Sequence, residues 1–279
     1  MKKLLALTLV LLMVLGLFAA CNTDKVNPSE NGATPNNTTG TNTDNTEDEL
    51  KTIEDGKLIM STNAAFPPYE MTTDDGGFEG IDVEIAQAIA EKLGLELEIL
   101  DMDFDAALLA VNEGKSDIVM AGVTVNEDRK LVMDFTDSYA TGVQVVIVKE
   151  GSDVTMDNLG EKMIGAQRGT TGYIYASDTP ENGGYGEDHV TPYDNGATAV
   201  QALINGQVDC VIIDSAPAAE YVKANAGLTI LEGEWVTENY AIGCDKGNTQ
   251  LVEAINKALT ELIADGTVQK IIDKYITAE

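Results

Sequence analysis

The sequence predicts an alternating α/β fold organised as two similar lobes, and three observations carry that prediction. From Gly56 onward, apolar runs of strand length alternate with stretches of helical periodicity, the pattern of strands covered by helices. Several helical stretches stop at a glycine, which closes a helix at little steric cost. A layout of helix, glycine, two residues, aspartate and apolar strand also occurs twice. It is found in Ala110-Val-Asn-Glu-Gly114-Lys-Ser-Asp117-Ile-Val-Met-Ala121 and again in Ala202-Leu-Ile-Asn-Gly206-Gln-Val-Asp209-Cys-Val-Ile-Ile213. Two copies of one unit imply two lobes.

In chain order, Lys57 to Ser61 reads as the first strand, followed by Asn63-Ala-Ala-Phe-Pro-Pro-Tyr69, a loop that two prolines stiffen and keep from being helical. Asp82 is expected to cap a helix from Val83 to Leu93, whose Val83, Ala86, Ile89, Ala90 and Leu93 share one face. A strand from Glu96 to Leu100, a helix from Ala106 to Glu113 and a strand from Asp117 to Ala121 follow, the last ending at Gly122. Asn126 then opens a helix with Glu127 and Asp128 in its first turn, where the helix dipole favours acids. Arg129 opposes that dipole. Either its acidic neighbours offset it, or it reaches away to meet an anion.

The second unit contains a strand from Lys162 to Ala166, the turn Gln167-Arg-Gly-Thr-Thr-Gly172 and a helix from Tyr173 to Ser177. A strand from His189 to Pro192, a helix from Ala197 to Ile204, a strand from Val208 to Ile213 and a helix from Pro217 to Ala224 complete it. Strands from Val143 to Val148 and from Tyr240 to Gly243 bracket the unit, and two such crossings would restrict its motion to a hinge. Residues 53–146 with 241–279 are therefore expected to form the first lobe and 147–240 an inserted second lobe. The C-terminal helices, Thr249 to Ala264 and Thr267 to Tyr275, should pack back on the first lobe.

The N-terminus carries a different kind of signal. Lys2 and Lys3, the apolar run Leu4 to Phe18 and then Ala19-Ala20-Cys21 have the order of an export signal, predicting a signal peptide over residues 1–20. The cysteine after two alanines resembles the lipobox of bacterial lipoproteins, in which that cysteine is lipidated; Phe18 stands where leucine is commoner. A plain secretory signal and an uncleaved anchor are the alternatives. Residues 21–52 would follow as a lipidated Cys21 and a tether, because 22–49 are almost wholly Asn, Thr, Asp, Glu, Gly and Pro and have too little apolar surface to offset ordering. Such a spacer would let an extracytoplasmic body reach past the membrane that anchors it.

A formal net charge of -30 argues against nucleic-acid binding, which needs clustered Lys and Arg. No spacing of metal ligands occurs and no cofactor is expected; the single His189 and Trp235 read as structural. Cys210 and Cys244 lie in apolar stretches assigned to different lobes and are expected to be buried thiols.

Ligands of open α/β sheets sit beyond the carboxyl ends of strands. Those ends present Gly122, Thr124 and Arg129 in one lobe and Thr170, Thr171 and Asp214 in the other. An arginine fork and main-chain N–H groups suit a carboxylate, while Asp214, after the apolar run Cys210 to Ile213, calls for a cation. Each residue alone has a plainer reading. Arg129 can be a surface ion-pair partner, Thr170 and Thr171 helix caps, Phe66 and Phe104 core, and Asn63 and Gln167 loop residues.

Six segments in order change the weighing: Ala64-Ala-Phe66-Pro-Pro-Tyr69, Gly80-Ile-Asp82-Val-Glu84, Asp103-Phe104-Asp105, Ala121-Gly-Val-Thr-Val-Asn-Glu-Asp-Arg129-Lys130, Asp134-Phe-Thr-Asp-Ser-Tyr139 and Gly169-Thr-Thr-Gly172. Over residues 56–276 this series resembles the bacterial extracellular solute-binding proteins for polar amino acids. The resemblance implies a two-lobed, type II periplasmic-binding-protein-like α/β fold with two hinge strands, acting as a monomer that delivers ligand to an ABC permease. It implies that Arg129 and the main-chain N–H groups of Thr124 and Thr171 hold the ligand α-carboxylate. Asp214, the Gly122 carbonyl and the Thr124 hydroxyl would hold its α-ammonium. Phe66 and Phe104 would clamp the side chain, and Asn63 and Gln167 would line the specificity pocket. Many relatives carry an acid at the position of Asn63, and some a polar residue at that of Ile213. The expectation here is accordingly an uncharged ligand such as glutamine, ahead of arginine, lysine or histidine. An exported dehydratase on the same fold is the enzymatic alternative, and a sensory module a third.

Overall fold

The computed structural model describes residues 50–276, so the expected signal peptide, Cys21 and most of the expected tether lie outside the described residues. In chain order the elements are β1 (Lys57–Thr62), β2 (Ala65–Phe66), β3 (Glu70–Thr72), β4 (Phe78–Glu79), α1 (Ile81–Leu93), β5 (Glu96–Asp101), α2 (Phe104–Asn112), β6 (Ile118–Val119), α3 (Glu127–Val132) and β7 (Met133–Lys149). They continue with β8 (Ile164–Gln167), α4 (Thr171–Ser177), β9 (Val190–Tyr193), α5 (Gly196–Ile204), β10 (Cys210–Asp214), α6 (Ser215–Ala224), β11 (Leu228–Ile230), β12 (Val236–Asp245), α7 (Thr249–Ala264) and α8 (Thr267–Tyr275).

The main sheet runs β5-β1-β6-β12-β7-β10-β8-β9, with β11 on β7. Its two ends are parallel α/β units, and the antiparallel pair β7 and β12 belongs to both. The fold is therefore two-lobed, with two hinge strands. Near Met133 and Asp245 the pair faces the first lobe; from Gln144 onward β7 carries β10 and the second. The register slips between Tyr240 and Gly243, a bulge in the middle of the crossing. Gly142 lies beneath the Tyr240 ring, where a Cβ would come within 2.4 Å of Cζ, so only glycine lets that ring lie across the hinge.

The repeated layout is a repeated structure. Gly114 and Gly206 both take left-handed φ, 66° and 73°, and the residue after each bonds back into its helix, Lys115 N–H to the Ala110 carbonyl and Gln207 N–H to that of Ala202. The aspartate then latches the neighbouring parallel strand. Asp117 accepts the Ile59 N–H at 2.8 Å, and Asp209 accepts the Met163 N–H at 2.8 Å. The glycine turns the chain and the carboxylate sets the register of the strand it enters.

Four local expectations need correcting. Asp82 does not cap α1, whose N-cap is Gly80; its carboxylate crosses to the Gly122 N–H at 2.9 Å, a tertiary bond that replaces the local one. The strand expected to end at Ala121 is only two residues long in β6. Beyond it the chain turns to pair with β12, with Val125 N–H on the Asn239 carbonyl and Ala241 N–H on that of Val123. The hinge strand read as Val143 to Val148 is the second part of a 17-residue β7, whose first part is buried only at every third residue, Met133, Thr136, Tyr139 and Gly142, whereas Gln144 to Val148 are buried without a break. The proline loop contains the short strand β2, which pairs with β3.

α7 and α8 do return to the first lobe. Lys92 of α1 bonds Glu261 of α7 at 3.0 Å, and Tyr275 of α8 donates to Glu84 while accepting the Gly80 N–H. Cys210 and Cys244 are both free, and burial pushes each thiol up to about 12, so they stay protonated as small core side chains. Among the described residues no helix is long and apolar enough to cross a membrane.

Candidate functional site

Arg129 is placed by its own helix start. Asn126 caps α3 by accepting the Arg129 N–H at 2.8 Å, and the side chain folds back over the Phe104 ring, 5.4 Å from its centroid. Nη1 donates to the Thr124 carbonyl at 2.7 Å and Nη2 to the Gly169 carbonyl, across the cleft, at 3.1 Å. Arg129 is only 7% exposed, and its guanidinium forms no ion pair among the described residues. Burial lowers its pKa, the charge of Glu238 opposing that fall. The surface ion-pair reading is thereby excluded; Lys130 pairs with Glu127 instead, at 2.9 Å.

Opposite it, the end of β10 brings in Asp214. One oxygen accepts the Tyr240 hydroxyl and the other the Gln144 amide at 2.9 Å. Burial raises this carboxyl to about 7, the bonds from Tyr240 and Gln144 pulling it down and the charge of Glu238 pushing it up. An acid so placed takes either a proton or a cation.

Gly122 has φ +55°, and a Cβ there would stand 2.8 Å from Phe66 Cε1, so glycine lets the Phe66 ring lie against the main chain. On the second lobe Thr170 caps α4, accepting the Tyr173 N–H at 3.3 Å, so the capping reading holds for it; Thr171 is the first helical residue and is buried. Asn63 and Gln167 meet across the cleft, Gln167 Nε2 donating to Asn63 Oδ1 at 3.0 Å and to the Asp194 carbonyl at 3.3 Å.

These side chains surround one small cavity shared by the two lobes. Asn63, Phe66, Phe104, Gly122, Thr124 and Arg129 line it from one lobe, and Gln167, Thr170, Thr171 and Asp214 from the other. A guanidinium and a carboxylate from different lobes thus open on the same space. Chemically its lining offers a cation and an acid as opposite poles for a small zwitterion, with the aromatic residues Phe66 and Phe104 beside them.

Sequence reasoning missed Glu70, which also lines the cavity. It is fully buried, and neither oxygen meets a hydrogen-bond donor. Burial raises its pKa well above the ordinary value, and Asp82 and Asp214 add to this; Asp82 itself rises to about 6 through burial. Glu70 is the β-register partner of Phe66, so both point to one face of their hairpin. The proline pair between them hid that pairing. Glu238 was missed as well, although its two-residue spacing from Tyr240 marks it as facing inward on β12. Among the described residues no group of acids, histidines and cysteines is arranged to hold a metal ion.

Comparison with known proteins agrees with this geometry. The family described as bacterial extracellular solute-binding proteins, family 3, matches residues 58–278. A probable histidine-binding protein of Neisseria gonorrhoeae is 34% identical over 230 residues, 80% of this chain and 85% of that one. An ancestral arginine-binding protein bound to arginine superposes with a TM-score of 0.73 at 40% identity, over 79% of this chain and 98% of that one. An ancestral arginine-binding protein bound to glutamine gives the same TM-score at 39% identity, over 80% and 99%.

Proposed function

The chain belongs to the bacterial extracellular solute-binding proteins of family 3, and on that premise we propose that it captures a basic L-amino acid, arginine first, for an ABC importer. The observation that carries this is the convergence of Arg129 and Asp214, from opposite lobes, on a single cavity. A zwitterion lying between them joins the lobes through its own charges, and contacts divided in this way favour the closed form over the open one. The bodies that move are residues 53–146 with 241–279 and residues 147–240, swinging about β7 and β12.

The preference for a cation replaces the expectation of glutamine, for two reasons. Both protons of the Gln167 amide are used within the protein, so that residue offers a ligand only its carbonyl oxygen, which suits a donor-rich side chain. Two acids, Asp214 and Glu70, line the cavity against the one cation Arg129, and the aromatic residues Phe66 and Phe104 that also line it suit a guanidinium. The histidine- and arginine-binding relatives point the same way. Isothermal titration with arginine, lysine, histidine, glutamine and citrulline is the test. Arginine is expected to bind at least tenfold tighter than its neutral isostere citrulline, the equivalent of about one charge-assisted bond. Glutamine binding tighter than arginine would remove the cationic assignment, and no response to any amino acid would remove the function.

The monomer is held at the outer face of the cell membrane by lipid on Cys21. Cys21→Ser is expected to release the protein into the soluble fraction with its ligand affinity intact; an S variant that still sediments with membranes argues against the anchor.

A further inference from the structure

Glu238 lies on hinge strand β12, opposite Gly142 of β7, and is 5% exposed. A single oxygen, Oε2, accepts three donors: the Thr171 hydroxyl at 2.8 Å, the Gln144 amide at 2.9 Å and the Thr124 hydroxyl at 3.1 Å. Thr124 belongs to the segment leading from β6 to α3 in the first lobe, and Thr171 opens α4 in the second. The two hydroxyl oxygens are 3.5 Å apart. Only a closed cleft brings them close enough for one oxygen to serve both.

We propose that Glu238 is a positioning residue that latches the two lobes together through Thr124 and Thr171 and holds both hydroxyls in a fixed sense at the binding cavity. Each hydroxyl has one proton, and each spends it on Glu238, so both present lone pairs alone to the cavity. A pole built this way accepts from an ammonium without having to reorient. Gln144 extends the arrangement, because its amide nitrogen donates to Glu238 on one side and to Asp214 on the other, at 2.9 Å each. The hinge strands thus connect the acid behind the threonines to the acid that faces a cation.

The latch needs no ligand for its bonds. It is therefore a bias toward closure that exists before binding, and it raises apparent affinity by raising the closed fraction. The inference depends on the two-lobed fold and not on which amino acid is bound, so it is tested on ligand-free protein.

Single-molecule energy transfer between dyes carried one on each lobe reads the closed fraction directly. Glu238→Ala is expected to lower that fraction about tenfold, and to weaken amino-acid binding by a similar factor, while the distance in the saturated complex stays that of the parent. The paired change Thr124→Val with Thr171→Val removes both donors and leaves Glu238 in place; it is expected to lower the ligand-free closed fraction by a like factor. That pair serves if Glu238→Ala does not fold. A closed fraction equal to the parent's in either variant overturns the proposal, as does a ligand-free parent with no closed species.

Discussion

Replacing Arg129 with alanine is expected to weaken amino-acid binding by two to four orders of magnitude. The side chain offers a carboxylate at least two charge-assisted hydrogen bonds, each worth about 1.5–3 kcal/mol in a buried setting, which corresponds to that range in Kd. Its present bonds enlarge the effect. Nη2 reaches the Gly169 carbonyl on the other lobe, so the variant also loses a direct tie that favours closure. Arg129→Lys separates the two contributions, since it keeps the charge and loses the fork that spans Thr124 and Gly169. Lysine is expected to recover a minor part of the affinity. Titration calorimetry on the folded variants reads this, and parent-like affinity in the alanine variant would remove Arg129 from the site.

The second large effect is on pH. Asp214 stands at about 7 because burial disfavours its charge, and a ligand ammonium requires the ionised form. Binding below that value must displace a proton. Affinity is therefore expected to fall about tenfold between pH 8 and pH 6, with close to one proton released per ligand at the lower pH. The same shift has the opposite sign for the empty fold. A carboxyl raised above its unfolded value favours the folded state at low pH, and that contribution is lost as pH rises through about 7. The melting temperature of ligand-free protein should carry this term, and saturation with ligand should cancel it by supplying the missing cation. Asp214→Asn is expected to flatten the pH profile of binding and to cost at least a hundredfold in affinity at pH 8. Calorimetry in buffers of different ionisation enthalpy counts the protons, and a flat profile in the parent would show that Asp214 is not the group that meets the ligand.

Much of this site was legible because its residues sit in local contexts that have their own signatures. Arg129 was conspicuous as a cation near a helix start, and its placement follows from the Asn126 cap three residues earlier. Asp214 was conspicuous as an acid at the end of an apolar strand. The glycine-to-aspartate layout was readable in both copies because each step, a left-handed turn followed by a carboxylate on the next strand, is made within a few residues or on an adjacent strand. Glu70, Gln144 and Glu238 gave no comparable signal. Glu238 reaches Thr124 across 114 positions and Gln144 across 94, and nothing local to any of them requires the others. The identity of the ligand's side chain was hard to read for the same reason. Asn63 and Gln167 were read as amides available to a ligand, whereas they bond each other over 104 positions.

Sequence by itself determined where the chain turns, caps and alternates, and hence which strand ends carry Arg129, the threonines and Asp214, because backbone conformation depends on neighbours a few residues away. Tertiary structure alone decided which of those polar atoms remain free for a ligand. That is settled by pairings between distant segments, in an interior where each donor and acceptor must find a partner or be left for something else to satisfy.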